Sequence, residues 1–305
     1  MAPNSITVRV PAKVNLQLSV GPKEADGYHN LVSVFQAISI FDDVTVTKSK
    51  AGSGVTIAVS GEHTHGVPED HSNLAVKAAQ LIGEKFEFDT DVHIEIKKSI
   101  PVAGGMAGGS ADAAGVIVCL DSLFDLGLSR DVMESIGSQI GADVPFSISG
   151  GVAIGTGRGD QITPALYKGN YNWVLALSGQ GLSTPSVYQE CDRLREGLSI
   201  AAPVVSEQLM QALRAGDAKA LGKALTNELQ PAACSLRPAL RLVLDVGVDY
   251  GALGGIVSGS GPTVAFLVAD EDSGLDLAVA LTASGVVGSV ARAHGPVHGA
   301  KVISN

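Results

Sequence analysis

Cysteine is scarce in this sequence. Its 305 residues include only three cysteines, Cys119, Cys191 and Cys234, which lie far apart and form no C-x-x-C pair. A small disulfide scaffold needs many closely spaced cysteines, so that class of protein is excluded. An odd and scattered set is typical of reduced thiols, and we therefore predict a cytoplasmic protein.

Long apolar runs and excess positive charge are also lacking. The best membrane candidate, residues 275–290, is interrupted by Asp276, Thr282 and Ser284, whereas a span needs about 20 apolar residues. The opening residues MAPNSITVRV contain no apolar core of a signal peptide. With 21 basic and 31 acidic residues, the net charge of −10 argues against a nucleic-acid backbone as partner. We expect neither a membrane nor a nucleic acid as partner.

Glycine, by contrast, is abundant. The chain has 37 glycines in 305 residues, well above the usual share of about 7%. This excess indicates that function depends on tight bends and on close approach of the backbone. Apolar residues make up 45% of the sequence, enough for a large core. At roughly 150 residues per domain, the length favours two domains.

Periodicity predicts an α+β fold. Alternating apolar and polar residues predict strands in the first half, and helical patterns dominate the second half, although both halves mix the two. We place the division so that one domain spans 1–164 and the other 165–305. The individual predictions are strands over 6–20 (interrupted at Pro11), 55–61, 93–100 and 254–268, a helix over 74–86, a helix after Ser110, and a helix that Ser129 caps and Gly141 ends.

The strongest chemical motif is PVAGGMAGGSADA, residues 101–113. It lies between a predicted strand and a predicted helix, and four glycines fall within residues 104–109. Such a loop presents backbone N–H groups at a helix N-terminus, which favours a bound phosphate. Ser110 adds a hydroxyl that can bond a phosphate oxygen or Mg²⁺. The segment matches neither GxxxxGK[ST] nor GxGxxG, so a loop that serves only tight helix–strand packing remains the alternative.

Two further glycine clusters lie at 155–159 and 254–263. The first, GTGRG, contains Arg158, the only arginine in these clusters, and the second contains GSGPT. Taken alone, GSGPT is compatible with any turn, and GTGRG is compatible with an ordinary connection between domains.

Three segments in this order resemble the motifs of the GHMP kinase superfamily, which includes galactokinase and the homoserine, mevalonate and phosphomevalonate kinases. They are PAKVNL at 11–16, the glycine segment at 101–114, and GGIVSGSGPT at 254–263. Within that superfamily the chain looks most like the 4-diphosphocytidyl-2-C-methyl-D-erythritol kinases. The segments that carry this resemblance are PAKVNLQLSV, ADGYHNL, IGADVPFSISGG, GTGRGD and STPSVY, spread over essentially the whole chain.

The resemblance implies an activity and a fold. The activity is ATP-dependent phosphorylation of the 2-hydroxyl of 4-diphosphocytidyl-2-C-methyl-D-erythritol in the methylerythritol phosphate route to isoprenoids, with Mg²⁺ brought by ATP. The fold is an N-terminal α/β domain of the ribosomal-protein-like type followed by a ferredoxin-like domain, and the substrates meet between them. It implies a small-molecule cytidyl diphosphate substrate and a monomer or homodimer. A homoserine-type or mevalonate-type kinase and a catalytically silent ligand sensor remain alternatives.

The same resemblance implies the catalytic residues. Asp143 would accept the proton of the acceptor hydroxyl, and Lys13 would pair with Asp143 and neutralise charge on the transferred phosphoryl group. Asn15 points to the same strand face as Lys13 and would bond the acceptor alcohol. From the residues alone, Asp143 is a turn aspartate after a helix-ending glycine, and Lys13, beside the apolar Val14 and Leu16 of its strand, is an edge charge.

For the cytosine, the resemblance implies three contacts. Tyr28 would stack on one face of the base, Tyr188 would cover the other, and His29 would bond its edge. The residues alone allow a surface aromatic and a solvated histidine. Since the chain has only seven Phe and five Tyr, two tyrosines at these positions carry weight.

For ATP, the resemblance implies contacts with the glycine segment and with Asn73 and Lys98 near the adenine. Without the family, Asn73 is an N-cap and Lys98 is an exposed strand charge. The residues of the segment that the resemblance implies as ATP contacts are Pro101, Val102, Ala103, Gly104, Gly105, Met106, Ala107, Gly108, Gly109, Ser110 and Ala111.

The segment departs from the family pattern at three positions. Met106 stands where leucine is usual, Ala107 replaces a glycine, and Ala111 replaces a serine. Methionine for leucine conserves volume, but alanine disfavours a positive φ if the family loop requires one at residue 107. We expect the loop to be retained.

A histidine-rich stretch invites a metal interpretation. His63, His65 and His71 lie close together with acidic residues, but they match no zinc spacing. We predict a solvated loop there and no metal ligands in the chain.

Overall fold

The computed structural model describes residues 3–102 and 104–304. The predicted ATP contact Ala103 lies outside the described residues. Within these ranges, none of the helices combines the length and the apolar character that a membrane crossing requires.

Strands and helices alternate along the chain. The strands are β1 (Ser5–Lys23), β2 (His29–Lys48), β3 (Val55–Gly61), β4 (Val92–Lys98), β5 (Val152–Thr156), β6 (Gln161–Pro164), β7 (Tyr171–Leu177), β8 (Thr226–Asn227), β9 (Gly254–Val257), β10 (Val264–Val268), β11 (Ser289–Gly295) and β12 (Lys301–Ser304). The helices are α1 (Leu74–Phe86), α2 (Gly108–Phe124), α3 (Arg130–Ser138), α4 (Val144–Ser149), α5 (Thr184–Leu194), α6 (Glu207–Ala215), α7 (Ala218–Ala224), α8 (Gln230–Leu236), α9 (Ala239–Asp249) and α10 (Glu271–Ser284).

The first sheet is built around the long antiparallel pair β1 and β2. Its strand order is β12-β1-β2-β4-β3, and β5, β6 and β8 extend it. Helix α2 packs against β1 and β2 so closely that a Cβ on Gly115 would lie 2.7 Å from Val44 Cγ2. Glycine at this position therefore lets α2 pack closely on the sheet. The β4–α2 loop leads into the N-terminus of this helix.

The second sheet is antiparallel, with strand order β11-β7-β10-β9. Helices α5 to α9 connect β7 to β9, and α10 connects β10 to β11. This is the βαββαβ arrangement of a ferredoxin-like domain, as predicted. Near the end of the chain, β12 returns to pair with β1 in the first sheet.

Two strand predictions need comment. The predicted strand over 6–20 is present in β1, where Pro11 is accommodated by a shift of register between Pro11 and Ala12 and does not end the strand. The single strand predicted over 254–268 is wrong, because β9 and β10 form a hairpin across residues 258–263. Gly259 and Gly261 reverse the chain there with φ of +56° and +82°, which glycine adopts at little cost.

Candidate active site

A cavity of about 620 Å³ lies where the three glycine clusters meet. Its walls include Lys13 and Asn15 from β1, Asp143 at the start of α4, and Tyr188 from α5. The glycine-cluster residues that line it are Pro101, Gly104, Gly105, Ala107, Gly108, Gly109, Ser110, Arg158, Gly159, Gly259, Ser260 and Gly261. Segments that are distant in the sequence thus form one site.

The β4–α2 loop packs directly on the β9–β10 loop. A Cβ on Gly105 would lie 2.1 Å from the Ser258 carbonyl oxygen, and a Cβ on Gly104 would lie 2.9 Å from Thr263 Oγ1. The Ser258 hydroxyl also donates to the Gly105 carbonyl at 3.0 Å. Gly104 and Gly105 therefore permit close packing of one loop on the other, and both also line the cavity.

The C-terminal end of the segment forms the first turn of α2, which lines the cavity. Ala111 N makes the first intrahelical hydrogen bond, to Ala107 O at 2.9 Å, so the N–H groups of Gly108, Gly109 and Ser110 precede the helical ladder. A Cβ on Gly109 would meet only Leu74 Cδ1, at 3.6 Å. The backbone is therefore accessible where a helix N-terminus favours an anion, and these residues fit a phosphate chain.

Ala107, which replaces a glycine of the family pattern, adopts the left-handed backbone conformation that alanine disfavours. Its φ of 62° and ψ of 31° place it directly before α2. This conformation costs an L-residue about 1–2 kcal/mol. The side chains of Met106 and Ala111 lie in the core, where both residues are 0% exposed.

Ala107→Gly is expected to raise the free energy of unfolding by up to about 1 kcal/mol. Glycine removes the left-handed cost, and its greater unfolded-state entropy offsets part of the gain. Urea denaturation measures the effect. Ala111→Gly is the matched control, because the same change inside α2 should lower stability by about 1 kcal/mol. Loss of stability in both variants would contradict strain at Ala107.

Lys13, Asn15 and Asp143 meet at the wall of the cavity. Lys13 Nζ lies 3.7 Å from Asp143 Oδ2 and donates to Asn15 Oδ1 at 2.7 Å. Asn15 Nδ2 in turn donates to Ser33 Oγ at 2.8 Å. Lys13 is only 4% exposed, which excludes the alternative of a solvated edge charge, while one third of the Asp143 side chain remains accessible. Asp143 is thus the accessible member of an otherwise buried polar group.

Lys98 is buried in a triad with Asp42 and Asp112, so its interpretation as an exposed strand charge is wrong. Its Nζ donates to Asp42 Oδ2 at 2.5 Å and to Asp112 Oδ2 at 2.7 Å. Asp42 Oδ1 accepts the N–H groups of Ser99 and Ile100 at the start of the glycine loop. The triad therefore ties the end of β4 to the first turns of α2.

The charges of the triad perturb one another. Burial raises the pKa of Asp112 to about 7, a shift that Lys98 opposes and Asp42 reinforces. Burial disfavours the charge on Lys98, but Asp112 and Asp42 outweigh it and raise the pKa of this lysine. Asp112 Oδ1 has no hydrogen-bond partner among the described residues.

A small cavity of about 160 Å³ lies beside the triad. Asn73, Val102, Lys98, Asp112 and the start of α2 line it. Asn73 caps α1 by accepting the N–H of Ala75 at 2.9 Å, so the N-cap interpretation is correct. The structure thus places Asn73 and Lys98 together, next to Gly108 and Gly109.

A third cavity, of about 730 Å³, adjoins the first and contains Tyr28, His29 and Tyr188. His29 Nε2 lies 2.8 Å from Asp192 Oδ1, and the His29 ring stacks on Tyr188 with centroids 5.3 Å apart. Tyr28 is 56% exposed. Burial raises the pKa of Tyr188. The predicted aromatic residues therefore share one pocket, and Tyr188 lines both cavities.

Sequence reasoning missed several residues of the site. Asp192 and Thr184 lie in the walls, and the Thr184 hydroxyl is 2.8 Å from Ser260 Oγ. Buried Asn227 holds the β9–β10 loop by donating to the carbonyls of Val257 and Gly259 at 2.7 and 2.8 Å. Arg158 carries a signal in the sequence, as the only arginine of the glycine clusters, and the structure places it in the walls of both large cavities.

No group of three or more His, Cys, Asp and Glu residues within 3–102 and 104–304 is arranged to hold a metal ion.

Comparison with known proteins assigns the family. The model of the GHMP kinases N terminal domain matches residues 73–151, and that of the GHMP kinases C terminal domain matches 209–287. A 4-diphosphocytidyl-2-C-methyl-D-erythritol kinase of Thermobifida fusca is 50% identical over 99% of both chains. The chain belongs to the 4-diphosphocytidyl-2-C-methyl-D-erythritol kinase family of GHMP kinases. A further member of this family, from Mycolicibacterium smegmatis, is 49% identical over 98% of this chain and 92% of its own.

Solved structures agree with the family assignment. A crystal structure of a 4-(cytidine 5'-diphospho)-2C-methyl-D-erythritol kinase superposes with a TM-score of 0.74 at 29% identity, covering 94% of this chain and 98% of its own. A homoserine kinase from Cytophaga hutchinsonii superposes with a TM-score of 0.77 at 18% identity, covering 99% and 98%. At that identity the second match shows the fold alone. The expected two-domain GHMP kinase fold is thus confirmed.

Proposed function

We propose that this protein is an ATP-dependent kinase that phosphorylates the 2-hydroxyl of 4-diphosphocytidyl-2-C-methyl-D-erythritol. The observation that carries the proposal is the Lys13–Asp143 pair, 3.7 Å apart beside the open N-terminus of α2, in a chain 48–50% identical over its whole length to kinases named for this substrate. Phosphoryl transfer requires positioning and charge neutralisation more than covalent chemistry. This arrangement supplies both.

The β4–α2 loop is the proposed cradle for the triphosphate. The N–H groups of Gly108, Gly109 and Ser110 bind its oxygens, and the Ser110 hydroxyl lies at the same edge of the cavity. Mg²⁺ arrives with ATP, held mainly by phosphates and water, and neutralises charge on the transferred group. The adenine end lies toward Asn73 and Lys98, which line the small cavity beside the loop.

The acceptor alcohol is held at Asp143. Its carboxylate takes the hydroxyl proton, while Lys13 orients Asp143 and stabilises negative charge on the phosphoryl oxygens. Asn15 Nδ2 keeps one N–H beyond its bond to Ser33, and this donor can bond the acceptor. The cytosine end occupies the cavity of Tyr28, His29 and Tyr188.

A coupled ADP-release assay tests the proposed function. Parallel reactions contain Mg²⁺·ATP with the cytidyl methylerythritol acceptor, homoserine, mevalonate or no acceptor. Turnover with the cytidyl acceptor alone is expected. Turnover with another alcohol instead would overturn the acceptor, and ATP binding without turnover on any of them would favour a silent sensor. The predicted cytoplasmic location and the monomer or homodimer state stay predictions.

Tyr28→Ala is expected to raise the KM for the cytidyl acceptor by roughly tenfold to a hundredfold while changing the KM for ATP little. Loss of a base–aromatic stack costs about 1–3 kcal/mol. Steady-state kinetics with each substrate varied separately measure the two constants. Tyr250→Ala is the control, because Tyr250 is similarly exposed, at 59% against 56%, and lines neither large cavity. Equal rises in both KM values would contradict the stacking role.

A further inference from the structure

Arg158 lies at the junction of the two large cavities. It sits in the β5–β6 turn between Gly157 and Gly159, which have φ of +69° and +95°. The residues that line both cavities are Leu31, Ala142, Arg158, Thr184, Pro185 and Tyr188. Arg158 is the only charged residue among them, since Lys13 lines only the first cavity and Lys23 only the second.

The guanidinium of Arg158 contacts Tyr28 and Asp26 but uses few of its N–H donors. It lies over the Tyr28 ring, 4.0 Å from the centroid, and Nη2 donates to Asp26 Oδ2 at 3.2 Å. More than half of the Arg158 and Asp26 side chains remains exposed. An exposed ion pair of this kind is weak and exchanges readily, and guanidinium has five N–H donors in a rigid plane. The contact with Tyr28 therefore positions the guanidinium, while most of its donors remain available to an anion.

Charged side chains of both signs surround this junction. Asp143 lines the first cavity, and Asp160 and Asp192 line the second, while Asp26 approaches the guanidinium itself. Lys23 is already paired with Asp192 at 3.1 Å. Lys13 and Lys23 each line only one cavity and lie beside Asp143 and Asp192, so Arg158 is the cation placed to meet a diphosphate between the cavities.

We propose that Arg158 binds the diphosphate of the acceptor substrate, using the Tyr28 ring as the platform that holds its guanidinium between the two cavities. The inference rests on the proposed function, in which the base lies at Tyr28 and the reacting hydroxyl at Asp143. The diphosphate that joins these two ends must then cross the junction. Guanidinium suits it because its parallel N–H groups match phosphate oxygens in pairs.

A merely structural role for Arg158, as a support for Tyr28, predicts a different result. In that case, replacing Arg158 would weaken every ligand that stacks on Tyr28 to the same extent, with or without phosphate. A diphosphate contact, by contrast, affects only ligands that carry the phosphates.

Calorimetric titration of cytidine, CMP and CDP separates these roles. Wild type, Arg158→Gln and Arg158→Lys are compared with a saturating non-hydrolysable Mg²⁺·ATP analogue, so that the phosphate loop is filled. Arg158→Gln is expected to lower the affinity for CDP about ten- to hundredfold, the usual effect of losing charged hydrogen bonds. Its affinity for cytidine should stay within about twofold of the wild-type value. Arg158→Lys should recover part of the CDP affinity, because it keeps the charge but not the planar fork.

Arg193→Gln is the matched control. Arg193 is an exposed arginine paired with Glu190 on α5 and lines neither cavity, so its replacement should leave all three affinities unchanged. Equal weakening of cytidine and CDP in Arg158→Gln, or no weakening of CDP, would overturn the proposal. Wild-type turnover of the cytidyl acceptor tests the proposed function separately. A wild type that turns over the acceptor while Arg158→Gln retains CDP affinity overturns only the role of Arg158, and a wild type that neither turns over nor binds cytidine ligands overturns both.

Discussion

Asp143→Asn is expected to lower kcat by about a hundredfold to ten-thousandfold, the contribution of a positioned general base. The amide cannot accept the hydroxyl proton, and it removes the negative charge that faces Lys13 at 3.7 Å. The affinity for ATP should change little, because the proposed phosphate cradle is formed by backbone groups at the start of α2. Single-turnover kinetics with separate measurement of ATP binding test both expectations.

Asp143→Asn should leave folding intact, because Asp143 precedes α4 without making a side-chain capping bond. Asp270→Asn is the control, since Asp270 caps α10 by accepting the N–H of Ser273 at 2.8 Å and asparagine caps equally well. Its activity should match wild type. A rate for Asp143→Asn within a few fold of wild type would remove Asp143 from the role of base.

Local features of the fold could be predicted from the sequence. The helix over 74–86 was predictable because Asn73 provides the cap and the apolar positions recur at helical spacing, and α1 has those bounds. The hairpin at 254–268 was not, because its apolar residues continue on both sides of GSGPT. The antiparallel pairing of β9 with β10 and the positive φ values of Gly259 and Gly261 establish the reversal.

The partners of the site residues were harder to predict, because they come from distant parts of the chain. Lys98 lies on the same face of β4 as the buried Ile94 and Ile96, but the carboxylate that compensates its buried charge, Asp42, is 56 residues away. Asp192 meets His29 across 163 residues. No local pattern encodes such contacts. The resemblance of motifs indicated Lys13 and Asp143 as a pair, but the ion pairs that position the loops required the structure.

Lys98→Met is expected to lower the free energy of unfolding by about 3–5 kcal/mol, the usual cost of removing one partner of a buried ion pair. Methionine fills the space but leaves two carboxylates, Asp42 at 0% and Asp112 at 2% exposure, without their cation. Asp42 keeps its two N–H donors at Ser99 and Ile100, whereas Asp112 loses its one described partner. Urea denaturation measures the loss, and the KM for ATP should rise because β4 is no longer tied to α2.

Lys97→Met is the control for this variant. Lys97 is the exposed neighbour on the opposite face of β4, and its replacement should change stability by no more than about 0.5 kcal/mol. If Lys98→Met lowered the free energy of unfolding no more than Lys97→Met, the triad would not hold the start of the glycine loop. At a pH above the raised pKa of Asp112, the double variant Lys98→Met with Asp112→Asn should recover part of the loss, because it removes one of the two unpaired charges.

The pH dependence of stability separates the charge of Asp112 from its packing. In the folded protein burial raises the pKa of Asp112 to about 7, from an ordinary value of 3.8. Between these values the folded state binds more protons at this site than the unfolded state, so the contribution of Asp112 to stability falls as pH rises from about 4 to about 7. Asp112→Asn should remove that part of the slope. In Lys98→Met the slope should instead continue above pH 7, because the loss of the ammonium raises the pKa of Asp112 further. Parallel profiles for wild type, Asp112→Asn and Lys98→Met would contradict a titrating Asp112 in the triad.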